Sequence, residues 1–201
     1  MNKILIAYHS AKETAATAFG IYFKLNSFIF MPVFGLNNGM VPIVAYNYGA
    51  RKPDRITKTI RLAVIYAVSI MLVGFLLFQL IPQVFLSLFL AEGETSGDLL
   101  TIGVPALRTI SFSFVFAGFC IVCSSVFQAL GKGLLSMSIS IFRQLVLVLP
   151  LAYLFSLTGE LNLVWWSFPV AEVLAGALAA FYLRRAYRRV IRPLTQEDYR
   201  F

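Results

Sequence analysis

Long apolar runs separated by short polar breaks dominate this chain. No Asp, Glu, Lys or Arg occurs at positions 62–91, 109–131 or 144–159. Roughly 20 apolar residues cross the hydrocarbon core of a bilayer as a helix, so these runs have the length of membrane spans. The pattern predicts an all-α polytopic membrane protein, built as a bundle of about five long transmembrane helices.

The breaks GARKPD, AEGETSG, GKG and TGELN set the ends of the predicted helices. We expect a membrane helix bundle over residues 1–193, followed by a cytoplasmic tail over residues 194–201. Connections this short make consecutive helices antiparallel. The five helices are predicted at about Thr14–Ala50, Ile56–Leu90, Asp98–Leu130, Leu134–Leu157 and Asn162–Arg189.

Charged residues are scarce and unevenly placed. They make up 13% of the chain, about half the share of roughly 25% found in soluble domains. The Arg51–Arg61 region, the GKG turn and the final RRAYRRVIR segment are basic, whereas AEGETSG and TGELN contain acidic residues and no Lys or Arg. Because Lys and Arg mark cytoplasmic loops, this alternation places the first helix's start outside and the C-terminus inside the cell. The net charge of +8 therefore indicates topology and not a nucleic-acid surface.

Enzymatic motifs are missing from the sequence. The Cys120-Ile-Val-Cys123 pair lies inside an apolar helix, so we interpret it as packing and not as a redox site. His9 is the single histidine and has no second ligand residue near it, which argues against a metal site. We therefore expect no catalytic residue, no metal and no cofactor.

Four charged residues lie inside the predicted spans, away from their ends: Lys24, Arg108, Arg143 and Glu172. A charge at the bilayer centre costs roughly 3 kcal/mol on insertion scales, so such residues usually face the bundle interior and have a partner. Arg143 and Glu172 lie on consecutive antiparallel helices at depths that differ by about 7 Å, which an arginine can bridge. We expect an intramembrane ion pair, which serves either to hold the helices together or to take part directly in transport.

The first predicted helix contains an unusual stretch, MPVFGLNNGMVP. It combines residues that break helices with two adjacent amides, Asn37 and Asn38, that need hydrogen-bond partners. Irregular polar backbone at membrane depth is tolerated where it is buried in protein or lines a water-filled cavity, and transporters place broken helices at binding sites. A kinked helix that merely packs is the alternative. The residues predicted to break the helix are Pro32, Gly35, Gly39 and Pro42.

Three blocks of sequence also resemble a known family. They are MVPIVAYNYGARKPDRI, VFQALGKGLLSMSISIFRQLVLVLPLAY and PVAEVLAG. Together they resemble the multidrug and toxic-compound extrusion (MATE) family, and more narrowly the C-terminal half of its bacterial NorM-like members. The resemblance covers essentially the whole chain. It implies a lobe of a twelve-helix transporter, with the five helices here similar to the eighth to twelfth and Met1–Ala7 similar to the end of the seventh.

The resemblance also implies a function. Members of this family are secondary active antiporters of the cell's plasma (inner) membrane, which export small cationic organic compounds or drugs in exchange for Na⁺ or H⁺. The family's N-terminal lobe has no counterpart here, so we expect this chain to be the C-terminal lobe or a fragment that acts with the missing lobe. The coupling carboxylates of the family fall on helices that are absent or, over Thr101–Leu130, contain no acidic residue. No ion site is therefore transferred, and Na⁺ versus H⁺ stays open.

Polar residues of the spans are expected to line a transport cavity.

Two other functions remain open. One is a flippase for lipid-linked precursors in the same superfamily, which would require cations such as Lys24, Arg108 and Arg143 to bind pyrophosphate. The other is a membrane subunit that transports nothing. The expected partners are the bilayer and small organic cations, with no nucleic acid. The residues expected to face the cavity are Lys24, Asn26, Asn37, Asn38, Asn47 and Gln144.

Overall fold

The computed structural model describes the backbone of residues 12–88 and 96–195. His9, Met1–Ala7, the acidic connection around Glu92–Glu94 and residues 196–201 of the predicted tail lie outside the described residues. Within the described ranges the chain is helical and contains no strand, which confirms the all-α fold class.

The helices are numbered here in chain order. α1 is Lys12–Gly49, α2 is Pro53–Leu80, α3 is Pro82–Ser87, α4 is Ser96–Ser111, α5 is Phe114–Ala129, α6 is Gly133–Ile141, α7 is Leu149–Ser156, α8 is Leu161–Trp165 and α9 is Ser167–Ala186. A π-helical segment, Phe142–Val148, joins α6 to α7. A second, Tyr187–Ile191, extends α9 and leads into a 3₁₀ turn at Arg192–Thr195.

Length and composition give four straight candidate membrane spans, Ala15–Gly49, Pro53–Leu80, Gly133–Ser156 and Leu161–Leu194. A fifth consists of Leu99–Ser111 and Phe114–Ala129, which are bent by 48° relative to one another. These spans correspond to the five predicted helices. The second is shorter than predicted because Ile81 interrupts it and Pro82 begins the separate helix α3.

The stretch predicted to break the first helix remains helical. α1 runs unbroken from Lys12 to Gly49 with Pro32 and Pro42 inside it, so the expected helix break at Pro32, Gly35, Gly39 and Pro42 was wrong. A proline removes one backbone donor, but a membrane helix can absorb this loss without ending. A Cβ placed on Gly35 or Gly39 would meet nothing within 4 Å, so no described part of this chain packs closely there.

The helix that does break is the one formed by α4 and α5. Its bend lies at Ser111–Ser113, where backbone carbonyls lose their regular partners. Gln79 of α2 donates from Nε2 to the Arg108 carbonyl at 2.9 Å and to Ser111 Oγ at 3.0 Å. Ser113 Oγ donates to the Ile110 carbonyl at 2.6 Å. Side chains thus satisfy the backbone at the bend, as a low-dielectric surrounding requires.

α5 occupies the centre of the bundle, with α1, α2, α6 and α9 packed around it. Phe114 at its start is fully buried and lies edge-on to Phe30, with ring centroids 5.6 Å apart. One turn later, Gly118 permits close approach of α2: a Cβ there would lie 2.8 Å from Met71 Cγ and 3.3 Å from the Ala67 carbonyl oxygen. Small residues at helix contacts allow this kind of packing in membranes.

Candidate functional site

A polar pocket lies between α1, α5 and the helix that contains the first π-helical segment. Its volume is about 280 Å³. Amides, hydroxyls and a guanidinium share its walls with a few apolar side chains. Its lining residues are Phe34, Asn37, Asn38, Val41, Ile121, Ser124, Ser125, Gln128, Ser140 and Arg143. A polar cavity surrounded by membrane spans is a natural place to accommodate water or a polar ligand.

Asn37 is the most constrained residue of this pocket. Its exposed fraction is 4%, and neither Oδ1 nor Nδ2 has a hydrogen-bond partner among the described residues. Leaving a buried amide unpaired costs about 1–3 kcal/mol, and nearly all buried polar groups in proteins are paired. Asn37 therefore brings a buried, unpaired amide to the wall of the pocket. Asn38 follows it along α1 and lines the same space, with its side chain exposed.

Two of the hydroxyl groups on the facing helices have their donors engaged. Ser125 Oγ donates to the Ile121 carbonyl at 3.0 Å, and Ser140 Oγ donates to the Ser136 carbonyl at 3.1 Å. Gln128 Nε2 donates to Ser136 Oγ at 3.1 Å, which links α5 to α6. A serine hydroxyl has one donor and two lone pairs, so Ser125 and Ser140 can present acceptor oxygens to the pocket.

Arg143 enters the pocket from a widened helical turn. It belongs to the π-helical segment Phe142–Val148, which ends two residues before Pro150. A proline removes the backbone donor that would bond to the carbonyl four residues earlier, and its ring crowds that carbonyl. The π-helical pattern relieves this conflict, and such segments are frequent at functional sites.

The arginine is paired with an acid on the next span. Arg143 Nη1 lies 3.3 Å from Glu172 Oε1, and the two side chains are 23% and 12% exposed. The structure thus brings together the two residues that the sequence suggested as a pair. Glu172 Oε2 has no hydrogen-bond partner among the described residues. Glu172 compensates the charge of Arg143, so the pocket carries little net charge.

The two cysteines lie behind this pair, in an apolar layer. Cys120 and Cys123 are free thiols, 1% and 0% exposed, and pack with Ala175 and Ala179 of α9. This placement supports the interpretation of the Cys-x-x-Cys pair as packing, because a reactive thiol requires exposure.

The other residues expected in the cavity lie elsewhere. Lys24 and Gln144 are exposed on the bundle surface, and Asn26 is half-buried with Oδ1 unpartnered within the described residues. Asn47 donates from Nδ2 to the Ile43 carbonyl at 2.8 Å. Its backbone carbonyl accepts from Lys52 N where α1 ends. None of these four lines the polar pocket.

Four polar pocket residues were not anticipated: Ser124, Ser125, Gln128 and Ser140. A sequence signal for them exists. Ser124 and Gln128 are one helical turn apart, and Ser140 precedes Arg143 by three positions, so each pair shares a helix face. Whether those faces are turned towards α1 depends on how the helices pack, which sequence periodicity alone does not specify.

The fold and the pocket define a polytopic membrane protein with a polar site that is lined by three of its spans and open on one side. The MatE family model matches residues 2–154, three quarters of the chain. The chain belongs to the MatE family, as the resemblance of its sequence blocks implied.

Curated relatives give the same assignment. A multidrug export protein, MepA, of Staphylococcus haemolyticus is 28% identical over 171 residues, which are 83% of this chain and 36% of that protein. An FAD transporter of Shewanella oneidensis is 24% identical over 192 residues, covering 92% of this chain and 40% of the relative. The chain therefore spans less than half the length of these relatives.

Solved structures share the fold. A transporter of the MOP superfamily from Pyrococcus furiosus, described as having a binding pocket of reverse polarity, superposes with a TM-score of 0.86 at 22% identity over 96% of this chain and 42% of its own. A MATE transporter in a straight conformation gives a TM-score of 0.82 at 26% identity, covering 97% of this chain and 42% of that structure.

Proposed function

We propose that this chain forms one lobe of a secondary active exporter of small cationic organic compounds, which it moves in exchange for Na⁺ or H⁺. The observation that carries the proposal is the buried, unpartnered amide of Asn37 on a polar pocket whose one cation, among the described lining residues, is compensated by Glu172. Family membership supports transport, and relatives named as multidrug export proteins support drugs as the cargo.

The outer face of α1 supports a second lobe as partner. Phe28, Met31 and Tyr46 are 69%, 68% and 74% exposed in this chain. Gly35 and Gly39 lie between them with open space above, and small residues let another helix approach closely. Asn38 is exposed on this helix and also lines the pocket. A second lobe docked on α1 would therefore enclose the pocket on its open side.

Charge compensation supports a cationic cargo. An isolated guanidinium in a low-dielectric pocket would repel an organic cation by several kcal/mol at contact distance. The Arg143–Glu172 pair removes most of that repulsion and leaves amide and hydroxyl oxygens as acceptors. A small organic cation with apolar rings would then contact Phe34 and Val41 on its apolar side.

Transport in everted membrane vesicles tests this function. Everted vesicles are prepared from cells that express the protein from its own gene, ethidium is added to the outside medium, and its uptake is followed after imposing a Na⁺ gradient or a pH gradient. We expect one of the two gradients to drive ethidium uptake above that of vesicles without the protein. The gradient that does so identifies the coupling ion. Uptake equal to the control under both gradients would favour a membrane subunit that transports nothing.

An anionic cargo is the second candidate. Arg143 lines the pocket, and one relative is named an FAD transporter. If the arginine exchanged Glu172 for a substrate phosphate, FAD or a lipid-linked pyrophosphate would be bound in place of a cation. Vesicle uptake of FAD, or inhibition of ethidium uptake by FAD and not by a second organic cation, would support this candidate over cation export.

The proposal includes an orientation in the plasma membrane. The basic α1–α2 connection and the residues after Arg184 lie on the cytoplasmic side, and the turn at Glu160 lies outside. The alternation of basic and acidic connections supports this orientation.

A further inference from the structure

A second cavity lies away from the polar pocket. It is an apolar groove of about 610 Å³, within the range of roughly 300–1,000 Å³ typical of ligand pockets. The first turns of α2 and the last turns of the final span form its walls. On each helix the lining positions recur at a spacing of three or four residues and so form one face. The lining residues are Thr57, Ile60, Arg61, Val64, Ile65, Leu183, Arg184, Tyr187, Arg188 and Ile191.

Two chemically different zones make up the groove, which we call the arginine groove. Aliphatic side chains such as Val64, Ile65 and Leu183 form its apolar zone. Arg61, Arg184 and Arg188 are exposed and border this almost wholly apolar lining with their aliphatic stems, which places three guanidinium groups at the groove's edge. No Asp or Glu occurs among the described residues that line it. The groove lies near the start of the candidate span Pro53–Leu80 and near the end of the candidate span Leu161–Leu194. We therefore expect its arginines at the level where these spans meet the polar headgroups.

This combination fits one ligand class. Basic pockets between membrane helices at the interface bind anionic headgroups, and arginine matches phosphate oxygens with paired N–H donors. The aliphatic zone matches an acyl chain. We propose that the arginine groove binds an anionic diacyl phospholipid, with the phosphate held by Arg61, Arg184 and Arg188 and an acyl chain against Val64, Ile65 and Leu183.

The same helix provides a matched control. The run RRAYRR places Arg184 and Arg188 on the groove side, whereas Arg185 and Arg189 line a neighbouring cavity of about 410 Å³ together with Lys132. The control cavity therefore offers the same number of cations on the same side of the bundle. General attraction to an anionic bilayer would depend on both sets equally, but a built lipid site depends on the groove set.

Native mass spectrometry of the purified protein tests the site. The whole protein is reconstituted in nanodiscs of phosphatidylcholine with increasing phosphatidylglycerol, released into detergent, and scored for retained phosphatidylglycerol. The triple variant R61Q/R184Q/R188Q is compared with K132Q/R185Q/R189Q. We expect the first to lose at least about tenfold in phosphatidylglycerol retention and the second to change less than about twofold.

A substitution that fills the aliphatic zone distinguishes binding of a whole lipid from binding of its headgroup phosphate alone. Ile65→Trp adds bulk in the aliphatic zone and keeps all three arginines, so it should also reduce phosphatidylglycerol retention. Competition by soluble glycerol 3-phosphate at equal potency would show a phosphate site without acyl contacts and would overturn the proposal. Equal losses in both triple variants, or unchanged retention in the groove variant because protein covers the groove, would overturn it as well. None of these outcomes depends on export activity, which belongs to the polar pocket.

Discussion

Arg143 Nη1 and Glu172 Oε1 lie 3.3 Å apart across two consecutive spans, and both side chains are largely withdrawn from the surface. The arginine also lines the polar pocket, and the acid does not. Glu172 therefore compensates the charge of a residue that faces the site, and it links α9 to the π-helical segment that carries Arg143. The pair therefore has two roles: it holds two spans of the bundle together, and it compensates a charge that faces the pocket.

Breaking this pair should destabilise the protein more than removing it. Glu172→Leu or Arg143→Met leaves a buried charge uncompensated, which costs roughly 3–5 kcal/mol in a dry site and less where water enters. The double variant removes that penalty, so it should recover much of the folded protein that either single variant loses. Membrane abundance and thermal stability in detergent measure this recovery.

Export measured in the same variants separates the two roles of the pair. Because Arg143 lines the pocket, we expect only partial recovery of ethidium export in the double variant. Full recovery would give the pair a structural role alone. Strictly additive losses of stability would show that the two side chains do not interact.

Replacing Asn37 should reduce export without a matching loss of folded protein. Its amide has no protein partner among the described residues, so Asn37→Leu removes an unsatisfied group and no observed hydrogen bond. We expect unchanged or slightly greater stability and at least about a tenfold loss of ethidium export per folded molecule. Asn47→Leu is the control: it removes the bond to the Ile43 carbonyl and lies outside the pocket, so it should lower abundance and keep export per molecule. The reverse pattern would contradict the assignment of the pocket.

Two glycines of similar appearance should respond in opposite ways. A larger side chain at Gly118 would collide with Met71 and the Ala67 carbonyl, whereas Gly39 has open space around it in this chain. Gly118→Leu should lower the free energy of unfolding by about 1–3 kcal/mol or more, and Gly39→Leu should leave folded abundance nearly unchanged. If a second lobe docks on α1, Gly39→Leu should nevertheless reduce export. Thermal unfolding and export, measured side by side, check both effects.

The sequence predicted the spans well and the breaks poorly. Runs without charged residues indicate spans because the bilayer excludes charge, and this holds whichever helices pack together. A helix break depends on whether freed carbonyls find partners, and Gln79 supplies one to the Arg108 carbonyl from a different helix, 29 positions earlier in the chain. No local pattern predicts that hydrogen bond. Pro32 and Pro42 were therefore mistaken for a break that occurs instead at Ser111–Ser113.

The candidate site was anticipated only in part, for a related reason. Asn37, Asn38, Arg143 and Glu172 stand out because polar residues are rare in apolar spans. Serines are common in membrane helices and engage their own backbone, so Ser125 and Ser140 do not stand out by residue type, although Ser140 shares a helix face with Arg143. Lys24, Asn26, Asn47 and Gln144 are polar as well, but they do not line the pocket. The type of a side chain indicates which residues are candidates for the pocket. The rotation of each helix about its axis decides which of these candidates line it.

The proposed orientation predicts which loops a reagent can reach. In a background with Cys120→Ala and Cys123→Ala, a cysteine at Lys58 should resist a membrane-impermeant maleimide applied to intact cells. A cysteine at Glu160 should react under the same conditions. Permeabilised cells provide the control, because both cysteines should then react. Labelling of position 58 from outside would invert the orientation.

The most direct test of the account asks whether a transported cation occupies the polar pocket. In the same cysteine-free background, Asn38→Cys places a thiol on the pocket wall, and Tyr46→Cys places one on the exposed face of α1 outside it. The rate of reaction with a thiosulfonate reagent is measured with and without ethidium. The account predicts that ethidium slows labelling at position 38 by several-fold and leaves position 46 unchanged. Equal rates at position 38 with and without ethidium would contradict it.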